Sequence, residues 1–311
     1  MSNLNVAMLG AKVASEIGKK GTVTDVTFYE LKKGDDSVTM IEPAKYPERL
    51  SSLFFAVEMA EFAVLVIDEI DATLGETIVM TDTVGIEKGW IILRNYIQPE
   101  QIAPLIADSV LENYEFREYD PIKIREELLE LSSEHKREPG EGSKGSCPVD
   151  SHFNVHGVGT VVLASVADGH IRKHDKMKVF PLGREVVLRS IQKHDLDSET
   201  AVKGDHTGLA LRGIESDELD RGYVLTTDKD IKMTRNFTGK VKTVKFWKEP
   251  LKDGMVMHLG HWMQMIPFRM SLSGDEVIFD LNSDLIYKPG DKAVLMYLEG
   301  GKLRVVGSVT L

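Results

Sequence analysis

Three short apolar runs frame the first 131 residues: Val6-Ala-Met-Leu9, Phe62 to Ile67 and Trp90-Ile-Ile-Leu93. Each is too short for a core helix and apolar at every position, which is the pattern of a parallel strand buried on both faces. The intervening segments carry helical spacing. Leu50, Leu53, Phe54 and Val57 form an i, i+3, i+4, i+7 stripe, and helices are expected over Leu74 to Val84, Glu100 to Leu111 and Ile122 to Leu131. Parallel strands can only be joined by crossovers, so alternation of this kind specifies a doubly wound α/β domain.

Residues 132–150, with Pro139-Gly140, Gly142, Gly145 and Pro148 among polar neighbours, have the composition of a flexible linker, and the lone Cys147 falls within it. Beyond this stretch the helical period disappears. Short strands punctuated by glycine and aspartate are expected at Gly159 to Ser165, Lys176 to Phe180, Glu185 to Gln192 and Thr207 to Arg212. A second such series runs through Gly239 to Phe246, Met255 to Leu259, Pro267 to Leu272, Glu276 to Leu281, Ala293 to Leu298 and Lys302 to Val309. Closely spaced strands with turn signals indicate barrels or sandwiches. The expected organisation is an α/β domain at 1–131, a linker at 132–150 and two β-barrels at 151–228 and 229–311.

The net charge of −11 is concentrated at one end. Residues 1–131 carry 12 Lys and Arg against 24 Asp and Glu, whereas residues 151–311 carry 23 against 21. Nucleic-acid affinity comes mainly from cations that neutralise phosphates, so the acidic domain is a poor RNA surface and only the β region is permissive. The longest apolar run, Phe62 to Ile67, falls far short of the roughly 20 residues that span a bilayer. The N-terminus has neither a basic n-region nor a cleavage site, so the chain is expected in the cytoplasm, with no membrane partner. A single cysteine fits a reducing compartment.

Between residues 157 and 225 the sequence reads Gly157-Val-Gly-Thr160, Gly169, Phe180-Pro181, Arg189-Ser-Ile-Gln192, Gly204-Asp205, Gly208-Leu-Ala-Leu-Arg-Gly213 and Arg221-Gly222. In this order and spacing it resembles the second domain of translational GTPases, the elongation factor Tu superfamily, and Arg189-Ser-Ile-Gln192 is most similar to the SelB-like branch. Lys288-Pro-Gly-Asp291 and Gly300-Gly-Lys-Leu-Arg304 resemble turns of the family's third domain. The resemblance implies a GTPase-like α/β domain followed by two barrels, in an archaeal-type paralogue similar to the elongation factor proposed for pyrrolysine.

It also implies a GTP site, and the residues for one are missing. A phosphate loop needs G-x-x-x-x-G-K-[ST] after a strand, with glycines that let backbone N–H groups close on the phosphates, a lysine for their charge and a hydroxyl for Mg²⁺. Here Gly10 is followed in register by Ser15, Glu16 and Ile17. A carboxylate in place of the cation repels the phosphates by about 4 kcal/mol at 4 Å and an effective dielectric of about 20, roughly a thousandfold in affinity. An alternative alignment deletes the loop altogether. Gly21-Thr22-Val-Thr24-Asp25 then resembles the family's G-x-T-x-D. The family's D-x-P-G-H aligns with Glu42-Pro43-Ala44-Lys45-Tyr46, so Lys45 replaces the glycine that meets the γ-phosphate and Tyr46 the catalytic histidine. The guanine-reading N-K-x-D aligns with Arg94-Asn95-Tyr96-Ile97, without its aspartate. The expectation is a degenerate GTPase-like domain kept as a scaffold, with no catalytic residue, no metal site and no cofactor. GTP with Mg²⁺ is the family alternative.

Function then falls to binding of tRNA or a ribosomal component by the barrels. Arg189, Lys193, His194 and His206 are candidates because their strands should be neighbours, as are Lys242, Lys245 and Trp247 from a basic stripe with aromatics interleaved. Both sets also read as solvated strand faces. Competing classes are an active GTPase that closes its site with Lys12, Lys19 and Lys20, and a protein scaffold outside translation. His258 and His261 have no carboxylate or cysteine at ligand spacing. Oligomeric state is not legible.

Overall fold

In the computed structural model the described residues are 2–135 and 144–311. The N-terminal domain is a seven-stranded sheet in the order β2-β3-β4-β1-β5-β6-β7. Its strands are β1 (Ser2–Gly10), β2 (Lys19–Val23), β3 (Val26–Lys33), β4 (Asp36–Pro43), β5 (Phe62–Ile67), β6 (Gly89–Leu93) and β7 (Glu115–Arg117). The expected buried strands β1, β5 and β6 run parallel at its centre, and β7 is parallel to β6. The helices are α1 (Ala14–Ile17), α2 (Leu50–Glu58), α3 (Ala72–Val84), α4 (Pro99–Ile106) and α5 (Pro121–Glu134). Asp71 caps α3 by accepting from Leu74 N at 2.8 Å, and Gly85 ends it at φ 94°, the left-handed C-cap that glycine favours.

One sequence expectation needs correction here, and one hairpin carries no expectation. The region 100–111 is split, because α4 stops at Ile106 and a separate 3₁₀ turn, Val110–Asn113, follows. Asp108, at φ 61°, interrupts the helix. The hairpin β3–β4, turning at Gly34 and paired from Val26↔Pro43 to Lys33↔Asp36, escapes the periodicity reading because both strands are largely buried and do not alternate.

The second sheet is a closed barrel. Around it run β8 (Gly145–Val155), β16 (Val224–Thr226), β11 (Lys176–Phe180), β12 (Arg184–Lys193), β15 (His206–Arg212) and β9 (Gly159–Ser165), and β9 returns to pair with β8. Closure leaves these six strands without an open edge. Three short strands, β10 (Asp168–Arg172), β13 (Leu196–Ser198) and β14 (Thr200–Val202), attach to it. Strands β17 (Lys232–Gly239), β18 (Lys242–Thr243), β19 (Val256–His261), β20 (Gln264–Ser273), β21 (Glu276–Tyr287), β22 (Lys292–Met296) and β23 (Val305–Thr310) belong to a third, seven-stranded half-barrel sheet. The expected strand at 239–246 is instead the end of β17, a two-residue β18 and a turn. Because β17 is largely exposed, its sequence carries no alternation to mark it.

The stretch expected to be a linker is ordered at both ends. Ser132, fully buried in α5, donates to Ser37 O at 2.7 Å. At the other end β8 begins at Gly145, where a Cβ would lie 2.4 Å from His170 O. Cys147 is therefore a buried strand residue, its thiol pKa pushed up by desolvation, and not part of a flexible tether. Pro139-Gly140 and Gly142 lie outside the described residues. By internal contacts the chain forms two units: the N-terminal domain with Val241–Pro250 and Val294–Val309, and the closed barrel with the rest of the third domain. Among the described residues no helix is long and apolar enough to cross a membrane.

Candidate functional site

In an α/β sheet of this kind ligands bind at the carboxyl ends of the parallel strands, and β1 leads directly into that edge. Gly10 closes β1 at φ 80°, where a Cβ would lie 2.1 Å from Val66 O, so only glycine lets β1 approach β5 this closely. The loop that follows spends its polar groups on the protein. Ala11 N donates to Val66 O at 3.0 Å, Ala14 N to Glu42 Oε2 at 3.4 Å and Lys12 Nζ to Ala44 O at 3.4 Å. Helix α1 is a single turn. Ser15 and Glu16 face solvent, while Ile17, in the register of a metal-binding hydroxyl, fills the core beside Val13 and Ala14.

The Glu42 side chain thus lies against the loop at the end of β4, only 6% exposed. Burial raises its carboxyl pKa above the ordinary 4.5, opposed by the Ala14 N–H and by Lys12 and Lys20. A carboxylate that is harder to ionise in the folded chain costs stability as pH rises from its unfolded value through its folded one. Glu42→Gln lacks that titration. The stability difference between variant and parent should therefore shift in favour of the variant between pH 4 and neutrality, as read from denaturation midpoints; a shift toward the parent would contradict the burial argument.

At the aligned positions after β4, Lys45 pairs with Asp25 at 2.7 Å and its backbone N–H donates to Ser52 Oγ at 3.0 Å. Tyr46 is half-buried, with its hydroxyl donating to Thr73 O at 2.9 Å. After β6, Arg94 pairs with Asp68 at 3.2 Å and stacks over the Tyr119 ring at 4.7 Å. The Tyr119 hydroxyl is pushed up to about 12, first by burial and then by neighbouring Glu16. Asn95 and Tyr96 both have positive φ, Tyr96 is 96% exposed, and Ile97 N donates back to Arg94 O at 3.1 Å. At this edge Lys45 and Arg94 are thus engaged in ion pairs within the chain.

The barrel candidates have separate assignments. Strands β12 and β15 are neighbours as expected, with Gln192 opposite Gly208. Arg189 donates to Val158 O at 2.9 Å. Lys193, 11% exposed, is buried against Asp205 at 3.0 Å. His194 occupies the two-residue turn between β12 and β13, where it and Asp195 have φ 49° and 62°, the hairpin geometry that right-twisted strands select. His206 Nδ1 lies 3.3 Å from Ser165 Oγ. In the basic stripe Lys242 is exposed, Lys245 pairs with Asp108 at 2.7 Å, and Trp247 packs edge-on against Tyr297 at 6.1 Å. His261, buried to 2%, lies 3.3 Å from Asp291.

A family model for elongation factor Tu domain 2 matches residues 159–226, a span that runs from β9 through β16 of the closed barrel. Uncharacterized protein MJ0325 of Methanocaldococcus jannaschii is 34% identical over 311 residues, 99% of each chain. The selenocysteine-specific elongation factor of the same organism is 25% identical over 365 aligned positions, covering 96% of this chain and 77% of that one. Among solved structures, translation elongation factor SelB from Methanococcus maripaludis, in complex with the GTP analogue GppNHp, matches 100% of this chain and 79% of its own with a TM-score of 0.82 at 18% identity. The chain belongs to one family with the MJ0325 protein of Methanocaldococcus, contains an elongation factor Tu domain 2 and has the SelB fold. A bacterial selenocysteine-specific elongation factor has the same fold, with a TM-score of 0.82 at 19% identity over 100% of the SelB-like chain and 58% of its own.

Several residues that shape the SelB-like edge were invisible to pattern reading. Asp68 and Tyr119 sit in unremarkable polar contexts, and Glu76 and Arg304 are 228 residues apart. Only Glu76 left a faint trace, as a charge within the apolar period of α3.

Proposed function

We propose that this SelB-like chain is an elongation-factor paralogue that acts by binding RNA, tRNA or a ribosomal component, through its β domains and without a GTP cycle. On this reading residues 1–131 are a retained scaffold, and the barrels at 151–228 and 229–311 carry the function. One observation supports the reading above the others: the loop after β1 directs its donors inward, with Ala14 N on the Glu42 carboxylate. A phosphate entering there would have to displace the buried Glu42 carboxyl group from its own partners. Tyr46, in the histidine position, is already engaged with Thr73 O, and Arg94 with Asp68.

The test is equilibrium binding of GTP and GDP, with Mg²⁺, to the chain stripped of nucleotide. The expected result is no binding at millimolar nucleotide. Micromolar, guanine-specific binding would overturn the proposal and restore a nucleotide-driven factor.

A further inference from the structure

The buried charge of Glu76 has no role in strand pairing or helix capping. It lies on α3, 3% exposed, and both of its carboxylate oxygens accept from Arg304. Arg304 N donates to Oε1 at 2.7 Å, Nε to Oε1 at 3.1 Å and a terminal nitrogen to Oε2 at 2.5 Å. Such a two-pronged guanidinium–carboxylate pair fixes orientation as well as distance. Arg304 is aimed by its own hairpin: Gly300-Gly301 turns the chain, and Tyr297 N donates to Arg304 O at 2.7 Å.

The opposite side of the guanidinium meets Tyr46, whose ring centroid is 5.9 Å away. The Tyr46 hydroxyl donates to Thr73 O, one turn before Glu76 on the same helix. Three segments distant in sequence therefore converge on one buried cluster within the first unit: the loop after β4, α3 and the segment Val294–Val309.

We propose that Tyr46, Glu76 and Arg304 are a built-in latch that joins the loop after β4, helix α3 and the Val294–Val309 segment into one rigid body, so that the first unit holds a single conformation with no ligand bound. Every contact in the latch is supplied by the chain itself. The loop after β4 is where a nucleotide-responsive factor would need freedom to follow a phosphate, and here its aromatic residue is pinned between a helix carbonyl and a guanidinium.

The latch can be read by hydrogen exchange on the full ligand-free chain, in peptides covering residues 44–53, 72–80 and 297–309. In the unsubstituted chain the three are expected to open together, with one common dependence on denaturant. Arg304→Met and Glu76→Ala should each accelerate exchange in all three by roughly a hundredfold or more, since removing one partner strands a buried charge, while peptides of the closed barrel keep their rates. Tyr46→Phe, which removes only the hydroxyl, should loosen 44–53 and 72–80 together and leave 297–309 slow. The proposal is overturned if the three segments open independently in the unsubstituted chain, or if each substitution accelerates only the peptide that contains it. A chain that bound GTP yet showed coupled opening would sink the preceding reading and leave the latch standing.

Discussion

Replacing Lys193 with methionine is expected to destabilise the closed barrel by roughly 3–5 kcal/mol, the cost of stranding one partner of a buried ion pair. Asp205, 5% exposed, accepts from Lys193 Nζ at 3.0 Å and from Val202 N at 2.9 Å, so the carboxylate ties β12 to the β14–β15 turn. Without the ammonium it keeps one neutral donor, Val202 N, in a largely buried site. Lys193→Met combined with Asp205→Leu should recover part of the loss, because an apolar pair leaves no buried charge, while Val202 N loses its acceptor. The readout is the denaturation midpoint followed on barrel amides. Lys242→Ala is the contrasting case: Lys242 is exposed on the two-residue β18, and its loss should leave stability unchanged. If the proposed RNA binding includes it, that substitution lowers affinity for all sequences alike and reduces the salt slope by about one. A Lys193 variant of normal stability and weakened RNA binding would return this lysine to the binding surface.

The second large effect is expected at Gly169. Its φ of 64° lies in the left-handed region, and a Cβ built there would fall 1.5 Å from Lys144 O. The neighbouring contacts are all backbone: His170 N donates to Lys144 O at 3.2 Å, and Gly169 pairs with Gly145 across β8 and β10. A Cβ cannot swing away from the carbonyl of Lys144, the residue that leads into β8, so β10 must separate from the start of β8. Left-handed strain of about 1–2 kcal/mol and overpacking of about 1–3 kcal/mol together predict a loss of roughly 2–5 kcal/mol for Gly169→Ala. By contrast Gly157→Ala, with φ 79° and open space around it, should incur the backbone strain alone. Equal midpoints for the two variants would show that the β8–β10 contact yields more easily than its geometry implies.

Much of the first domain was legible because its central strands are buried on both faces and therefore uniformly apolar, as Phe62 to Ile67 shows. The stripe of α2 was equally direct. What escaped were elements whose burial depends on partners. The linker reading failed at Gly145 and Cys147, since glycine and cysteine carry no strand signal until β10 and β16 are placed against them. Lys193 read as a surface cation because nothing local distinguishes a snorkelling lysine from one turned toward a buried aspartate.

The residues at the nucleotide-motif positions follow the same division. The sequence reading aligned Ser15, Glu16, Ile17, Lys45, Tyr46 and Ile97 with the family's nucleotide ligands, or else deleted the first loop, because the types of residue in a motif are a one-dimensional property. It also pointed to an elongation factor Tu domain 2, through the spacing of glycines and turns between residues 157 and 225. The tertiary structure decided what those positions do instead. It placed Glu42 on the Ala14 N–H, set Arg94 between Asp68 and Tyr119, and brought Arg304 to Glu76 across 228 residues. Polar pairing is a short-range interaction in space between groups with no fixed separation along the chain, so its partners are chosen only when the sheet and the barrels have folded.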